Sequence, residues 1–194
     1  MPEELRFISR NKFKIREVEE ILAMQDIKII SRCEIIEELQ TANTDHLVKH
    51  KVLSAFTIIG RPLFVEHTGL YLNYLGGFPG GLTQVFWDTL KADCFSELFG
   101  NTPNPQAVAK TVVGYTDGKK IYLFEGEIEG SIAEEPRGSR DFQWDCVFIP
   151  KDYNKTFAEL GDLKNKISMR RLALDRFAQF LKERPESNGE PEAY

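Results

Sequence analysis

The sequence predicts a single α/β domain built on a mixed, elongated sheet, and three observations carry that class. Short apolar runs alternate with segments of helical periodicity through the N-terminal half, and a block of β-branched and aromatic residues around "TDGKK" follows. The third is size: 194 residues, 42% of them hydrophobic, can bury a substantial core within one domain, here taken as residues 1–184.

Element by element, "LRFIS" (5–9) reads as a strand that feeds a helix through Ser9 to Asn11. In that helix, "NKFKIREVEEILAM", Ile15, Val18, Ile21 and Leu22 form one stripe. "DIKII" (26–30) is a second strand, and 44–59 a second helix with Val48, Val52 and Phe56 four apart and Thr44 or Asn43 as N-cap. "PLFVE" (62–66) is a third strand running into "HTGLYLNYLGGFPGG", a turn whose glycines imply close backbone approach. "LTQVFWDTLKADCFSELFG" has helical spacing and ends at Gly100 as C-cap; its apolar content suits a buried helix or a dimer surface. "AVAKTVVGYTDGKKIYLFEGEIEGSIAE" predicts a hairpin followed by another strand, and "CVFIP" one more. A last helix over 165–184 places Ile167, Leu174, Phe177 and Leu181 on one face, and the polar "PESNGEPEAY" (185–194) is a disordered tail.

Bulk charge and composition exclude several functions. A net charge of −5 argues against a protein held on nucleic acid by phosphate neutralisation. No stretch approaches the ~18 apolar residues of a membrane span, and "MPEELRFISRNK" lacks a signal-peptide layout, so a cytoplasmic protein is predicted. Cys33, Cys94 and Cys146 are odd in number and unpaired in spacing, which suits free thiols rather than a disulfide framework or zinc site.

Five constellations carry chemistry. "SRNKFK" (9–14) opens a helix, where free N–H groups, the helix dipole and lysines attract phosphate, although solvated surface lysines give the same pattern. "EELQ" (37–40) offers paired carboxylates, natural magnesium ligands beside substrate phosphates or simply a polar surface. His46 and His50 are four apart on a predicted helix, the spacing of a metal pair but also of two exposed histidines. "RGSRDFQWDCVF" (137–148) sets Phe142 and Trp144 beside Asp145, an aromatic face with a carboxylate that suits a purine base; two aromatics in a strand are equally a core pattern. "KNKISMRR" (164–171) then brings Lys164, Ser168, Arg170 and Arg171 to a helix start, and a donor-only arginine favours a 6-oxo over a 6-amino purine.

Taken in this order, the segments resemble the inosine triphosphate pyrophosphatase family, whose members hydrolyse non-canonical purine nucleoside triphosphates to monophosphate and pyrophosphate. Ser9, Arg10, Asn11 and Lys14 are similar to its T-G-N-x-x-K, with Glu17 following where the family often has an acidic residue. Glu38 in "EELQ" matches its magnesium-binding glutamate, and Lys51 a lysine on the next helix. "EHTGL" with "YLGGFPG" resembles [E/D]-D-[S/T]-G-L and A-L-G-G-x-P-G, the most specific match; "FQWDC", "TFAEL" and "KNKISMR" resemble its remaining motifs. The resemblance spans residues 5–182. It implies two lobes around a nucleotide-binding cleft, magnesium (or manganese as substitute), and a homodimer. It also implies phosphate contacts from Ser9, Asn11, Lys14 and Lys51, a metal contact from Glu38, and nucleoside contacts from Phe142, Trp144, Asp145, Lys164, Ser168 and Arg170, the last reading the 6-oxo group.

The departures gather where chemistry is carried. His67 stands at the position of the family's water-activating aspartate, His46 where relatives commonly carry an acid, Arg10 and Gln143 in place of loop glycines, and Met169 in place of a histidine. Neutral imidazole can act as a base at an unperturbed pKa of about 6.5, but it lacks the aspartate's charge and is a poor magnesium ligand. Three readings stay open: a diphosphatase of altered chemistry using His67 with Glu66 and Glu38; a module that binds (d)ITP or XTP without destroying it and signals to an effector protein; and a transition-metal hydrolase using His46, His50 and His67.

Overall fold

The computed structural model describes residues 4–184; the predicted tail, 185–194, lies outside them. In chain order the elements are β1 (Leu5–Ile8), α1 (Lys12–Ala23), β2 (Ile29–Arg32), α2 (Thr44–Ile59), β3 (Leu63–Leu72), β4 (Pro79–Gly80), α3 (Thr83–Phe99), β5 (Gln106–Thr116), β6 (Ile121–Ile132), β7 (Phe148–Pro150), α4 (Phe157–Leu160), α5 (Lys164–Ile167) and α6 (Met169–Glu183). They form the expected mixed α/β architecture. One seven-stranded sheet runs β2-β1-β3-β5-β6-β7, with the two-residue β4 against β3. Its first three strands are parallel and the rest antiparallel, as expected where helical crossovers precede a hairpin.

Apolar side chains fill three regions. On one side, Val18, Ile21 and Leu22 of α1 and Leu174 and Phe177 of α6 pack with Phe7 and Phe64. On the other, Leu47, Val48 and Val52 of α2 cover Val65 and Val112. The third joins α3 to the segment around β7 and α4, with Phe95, Trp144, Phe148 and Phe157 fully or nearly buried. Among the described residues no helix is long and apolar enough to cross a membrane.

Several local expectations are corrected. The second strand begins at Ile29 rather than Asp26, because α1 is closed by a turn in which Ile27 N–H donates to Leu22 O and Asp26 takes a left-handed φ of 61°. The third strand does not end at Glu66. It pairs with β5 from Leu63↔Thr116 to Leu72↔Ala107, so His67 lies in mid-strand opposite Val112, well before the turn. The region around "TDGKK" is a single hairpin, β6 being continuous over its 12 residues. Phe142 and Trp144 lie not in a strand but at a 3-10 turn over Gln143–Cys146. The last helix is split at Ser168, whose extended ψ of 160° breaks it and whose hydroxyl caps α6 by accepting from Arg171 N–H. In α3, Lys91 interrupts the helical backbone with φ 58°, and Gly100 caps it in right-handed rather than left-handed geometry.

The glycine turn does make the close approaches its composition implied. A Cβ on Gly81 would collide with the Thr41 carbonyl, and one on Gly80 with the Ala42 carbonyl. These contacts, with Gly81 N–H donating to Ala42 O at 3.0 Å, tie the turn to the irregular segment before α2.

Candidate functional site

A cavity of about 590 Å³ opens where β1 gives way to α1, and α2, β3, α3 and the 3-10 turn close around it. Its lining includes Ser9, Arg10, Asn11 and Lys14 from the β1–α1 junction, Glu34, Ile36 and Glu38 from the segment before α2, and Lys51. His67 and Thr68 of β3, Gln84 of α3 and Gln143 complete it. All four residues expected to hold phosphates therefore face one space. Asn11 caps α1, its Oδ1 accepting from Phe13 N–H at 3.0 Å and Lys14 N–H at 3.2 Å, so the start of a 12-residue helix is set at the cavity wall. That end presents a positive dipole to an anion.

The two lysines are already paired. Lys14 Nζ lies 2.6 Å from Glu66 Oε1 and Lys51 Nζ 2.5 Å from Glu38 Oε1. Burial pulls Lys14 below the ordinary lysine value, opposed by Glu66. Burial would raise Glu66, but Lys14 and Arg170 prevail and hold it well below the usual carboxylate range. Glu66 is thus held ionised as the counter-charge of Lys14 and Arg170.

Strand periodicity separates Glu66 from its neighbour. Glu66 and Thr68 point to α1 and α6: Thr68 Oγ1 donates to Glu66 Oε2 at 2.9 Å, and Arg170 Nη2 donates to Thr68 Oγ1 at 3.2 Å. His67 is only 5% exposed, and its buried Nε2 has no hydrogen-bond partner among the described residues. Burial, then the charges of Lys14 and Lys51, lower its pKa from 6.5 to about 4, against the pull of Glu66 and Glu38. At neutral pH it is an uncharged, weakly basic imidazole beside two ammonium groups.

The residues expected at the base are brought together but do not line the cavity. Trp144 is 3% exposed and packs edge-on against Phe148, a core residue. Lys164 Nζ donates to Asp145 Oδ2 at 2.5 Å and to Glu17 Oε1 at 2.7 Å. Burial pushes the Asp145 carboxyl up, with Lys164 pulling the other way. Arg170 donates to Glu17 and, through Nε and Nη2 at 3.3 Å each, to Glu66. Ser168 is fully buried in its capping role. The donors expected to read a 6-oxo group are therefore turned onto carboxylates in this state.

Glu17 is the site residue that the sequence reading left without a role. It sits at i+3 from Lys14 and i+4 before Ile21 on α1, so a charged side chain falls on the inward face; that spacing was the available signal. Gln84, which contacts Gln143 across the cavity, carried no signal beyond its place at a helix start.

A metal centre of His46, His50 and His67 does not assemble: among the described residues no group of three or more His, Cys, Asp or Glu side chains is placed to hold an ion. His46 is exposed on α2 whereas His67 is buried in β3. The donor set suits a magnesium ion that arrives with a polyphosphate, which needs one or two protein carboxylates rather than a cage. Glu38, its side chain 43% exposed, is a carboxylate that lines the cavity beside Glu34.

Comparison with known proteins agrees with this geometry. The Ham1 family model matches residues 5–180. A dITP/XTP pyrophosphatase of Methanopyrus kandleri is 37% identical over 91% of this chain and 95% of its own. An inosine triphosphate pyrophosphatase of Yarrowia lipolytica is 34% identical over 94% and 97%. Among solved structures, a HAM1 protein from Coxiella burnetii superposes with a TM-score of 0.76 at 24% identity, covering 93% of this chain and 99% of that one, a likeness of fold.

Proposed function

The chain belongs to the Ham1 family, and on that premise we propose that its cleft captures 6-oxo purine nucleoside triphosphates of the dITP, ITP or XTP kind and hydrolyses them poorly. The observation that supports this reading is the cavity itself: Ser9, Asn11, Lys14 and Lys51 converge on it together with His67, the residue that the resemblance puts at the family's water-activating position. The triphosphate lies against the start of α1, and Lys14 and Lys51 exchange Glu66 and Glu38 for phosphate oxygens. Freed from Lys51, Glu38 faces a magnesium ion, which when bound neutralises phosphate charge and polarises a phosphoryl oxygen. Phe142, Asp145, Lys164 and Arg170 form the purine subsite once it opens, with Arg170 donating to the 6-oxo oxygen.

Hydrolysis between the first and second phosphorus needs a water that loses its proton as it attacks. A base whose pKa lies near operating pH does this best. His67, held at about 4 by burial and by Lys14 and Lys51, accepts that proton weakly and contributes no negative charge. Capture outlasts chemistry. A cleft that holds its nucleotide without consuming it serves as a sensor, and the second reading is that the occupied state is relayed to an effector protein.

The test is binding and turnover measured in parallel with dITP, XTP, dGTP and dATP in magnesium or manganese. We expect dITP and XTP to bind in preference to dATP, with pyrophosphate release far slower than nucleotide exchange. Rapid release from dITP would instead make the protein an efficient diphosphatase with His67 as a working base; no binding of dITP would remove the nucleotide reading altogether.

A further inference from the structure

The purine end of the site is closed by a residue of its own. Phe13 stacks on Phe142 with ring centroids 5.2 Å apart and planes 19° from parallel, an offset stack with no slot between the rings for a base. The Phe142 ring also has Lys164 Nζ 4.2 Å and Arg170 Cζ 5.8 Å from its centroid. Gln143, next in the chain, is held by the Gln84 side-chain amide from α3 and carries a left-handed φ of 46°. The cavity accordingly stops at Gln84 and Gln143 and reaches none of Phe142, Trp144, Asp145, Lys164 or Arg170.

We propose that Phe13 is an internal stand-in for the purine, occupying the stacking face of Phe142 until a base displaces it. The proposal rests on the nucleotide reading above and adds a specificity-setting residue to it. Phe13 is half-buried and lies one residue before Lys14, its backbone N–H pinned by the Asn11 cap. A rotation of its side chain therefore bares Phe142 without disturbing the start of α1. A ligand with phosphates alone meets an open cavity; one with a purine must also break the Phe13–Phe142 stack. The latch lowers affinity for every purine nucleotide by the fraction of molecules in which it is open. It leaves in place only ligands whose base regains that loss through Asp145, Lys164 and Arg170.

The two kinds of ligand separate the proposal from its premise. Calorimetric affinities of dITP and of inorganic tripolyphosphate are compared for the wild type, Phe13→Ala and Phe13→Leu. Loss of an aromatic pair predicts that dITP binds about 2- to 12-fold tighter to Phe13→Ala. Tripolyphosphate should bind both proteins alike, and Phe13→Leu should fall between. Gln84→Ala, which releases Gln143 from the same turn, should also tighten dITP and serves if the Phe13 variants do not fold. Unchanged or weaker dITP binding in the variants, with dITP bound by the wild type, overturns the latch and leaves the nucleotide reading standing. Tripolyphosphate binding with no dITP binding by any of the proteins overturns the nucleotide reading, and the latch with it.

Discussion

On the proposed reading His67 decides what the site can do, because an imidazole differs from a carboxylate in charge and basicity. Its Nε2 is buried with no partner among the described residues, and burial, then the charges of Lys14 and Lys51, lower its pKa to about 4. If that reading holds, placing a carboxylate there should supply what the imidazole lacks: His67→Asp is expected to raise pyrophosphate release from dITP by about 100- to 10,000-fold, measured in single turnover with magnesium. A variant that binds dITP but stays inert would place the defect elsewhere in the cleft. Stability reports the same residue independently. The unfolded chain protonates this histidine below about pH 6.5 and the folded chain only near pH 4, so the unfolded state binds more protons between these values and stability falls as the pH is lowered. The contribution is complete above pH 6.5 and has dropped by roughly 2 kcal/mol at pH 5, before the depressed carboxylates begin to titrate. Urea midpoints between pH 7 and 5 should show that loss in the wild type and a much smaller one in His67→Gln.

At the scale of elements, what was legible in the sequence was periodicity and what was not was context. The stripe of Val18, Ile21 and Leu22 and the Asn43 cap of α2 were readable because local spacing alone determines them. The run of β3 through His67 was hidden, since the glycines after it read as a turn and only the partner strand β5 extends the pairing to Leu72. Phe142 and Trp144 were misplaced for a related reason: β-rich composition cannot reveal that Gln143 adopts a left-handed φ and turns the chain. The start of α1, a strand feeding a helix through Ser9 to Asn11, was legible as structure. Asn11 there serves twice, as cap and as wall of the cavity. Asn11→Ala should cost about 1 kcal/mol of folding stability through the lost cap. It should also weaken tripolyphosphate and dITP binding by a similar factor, since the frayed helix start no longer fixes its N–H groups. Asn11→Ser, which caps comparably, should recover stability; if it fails to recover binding as well, the asparagine amide itself meets the phosphates.

Across the whole molecule, a buried chain of alternating charge joins elements far apart in sequence: Lys14, Glu66, Arg170, Glu17, Lys164 and Asp145 link α1, β3, α6, α5 and the 3-10 turn. The sequence shows the members but not the pairing, which depends on contacts more than a hundred residues apart, such as Glu17 with Lys164. As the structure stands, this chain of charge satisfies carboxylates that are nearly sealed from water; on the proposed function, phosphate and base would compete for the same lysines and arginine. Arg170 is the hub, 1% exposed and shared by Glu17 and Glu66. Burial opposes its charge, yet those two carboxylates hold its proton more firmly than in water. Removing it leaves buried negative charge that Lys14 and Lys164 only partly offset, so Arg170→Met should lose about 3 kcal/mol, the lower end of the cost of breaking a buried pair. Replacing a carboxylate at the same time tests whether unpaired charge is the cause: Arg170→Met with Glu17→Gln should recover at least half of that loss in urea denaturation at pH 7. A double variant no more stable than the single one would mean that the arginine's packing, not its charge, holds α6 against β3.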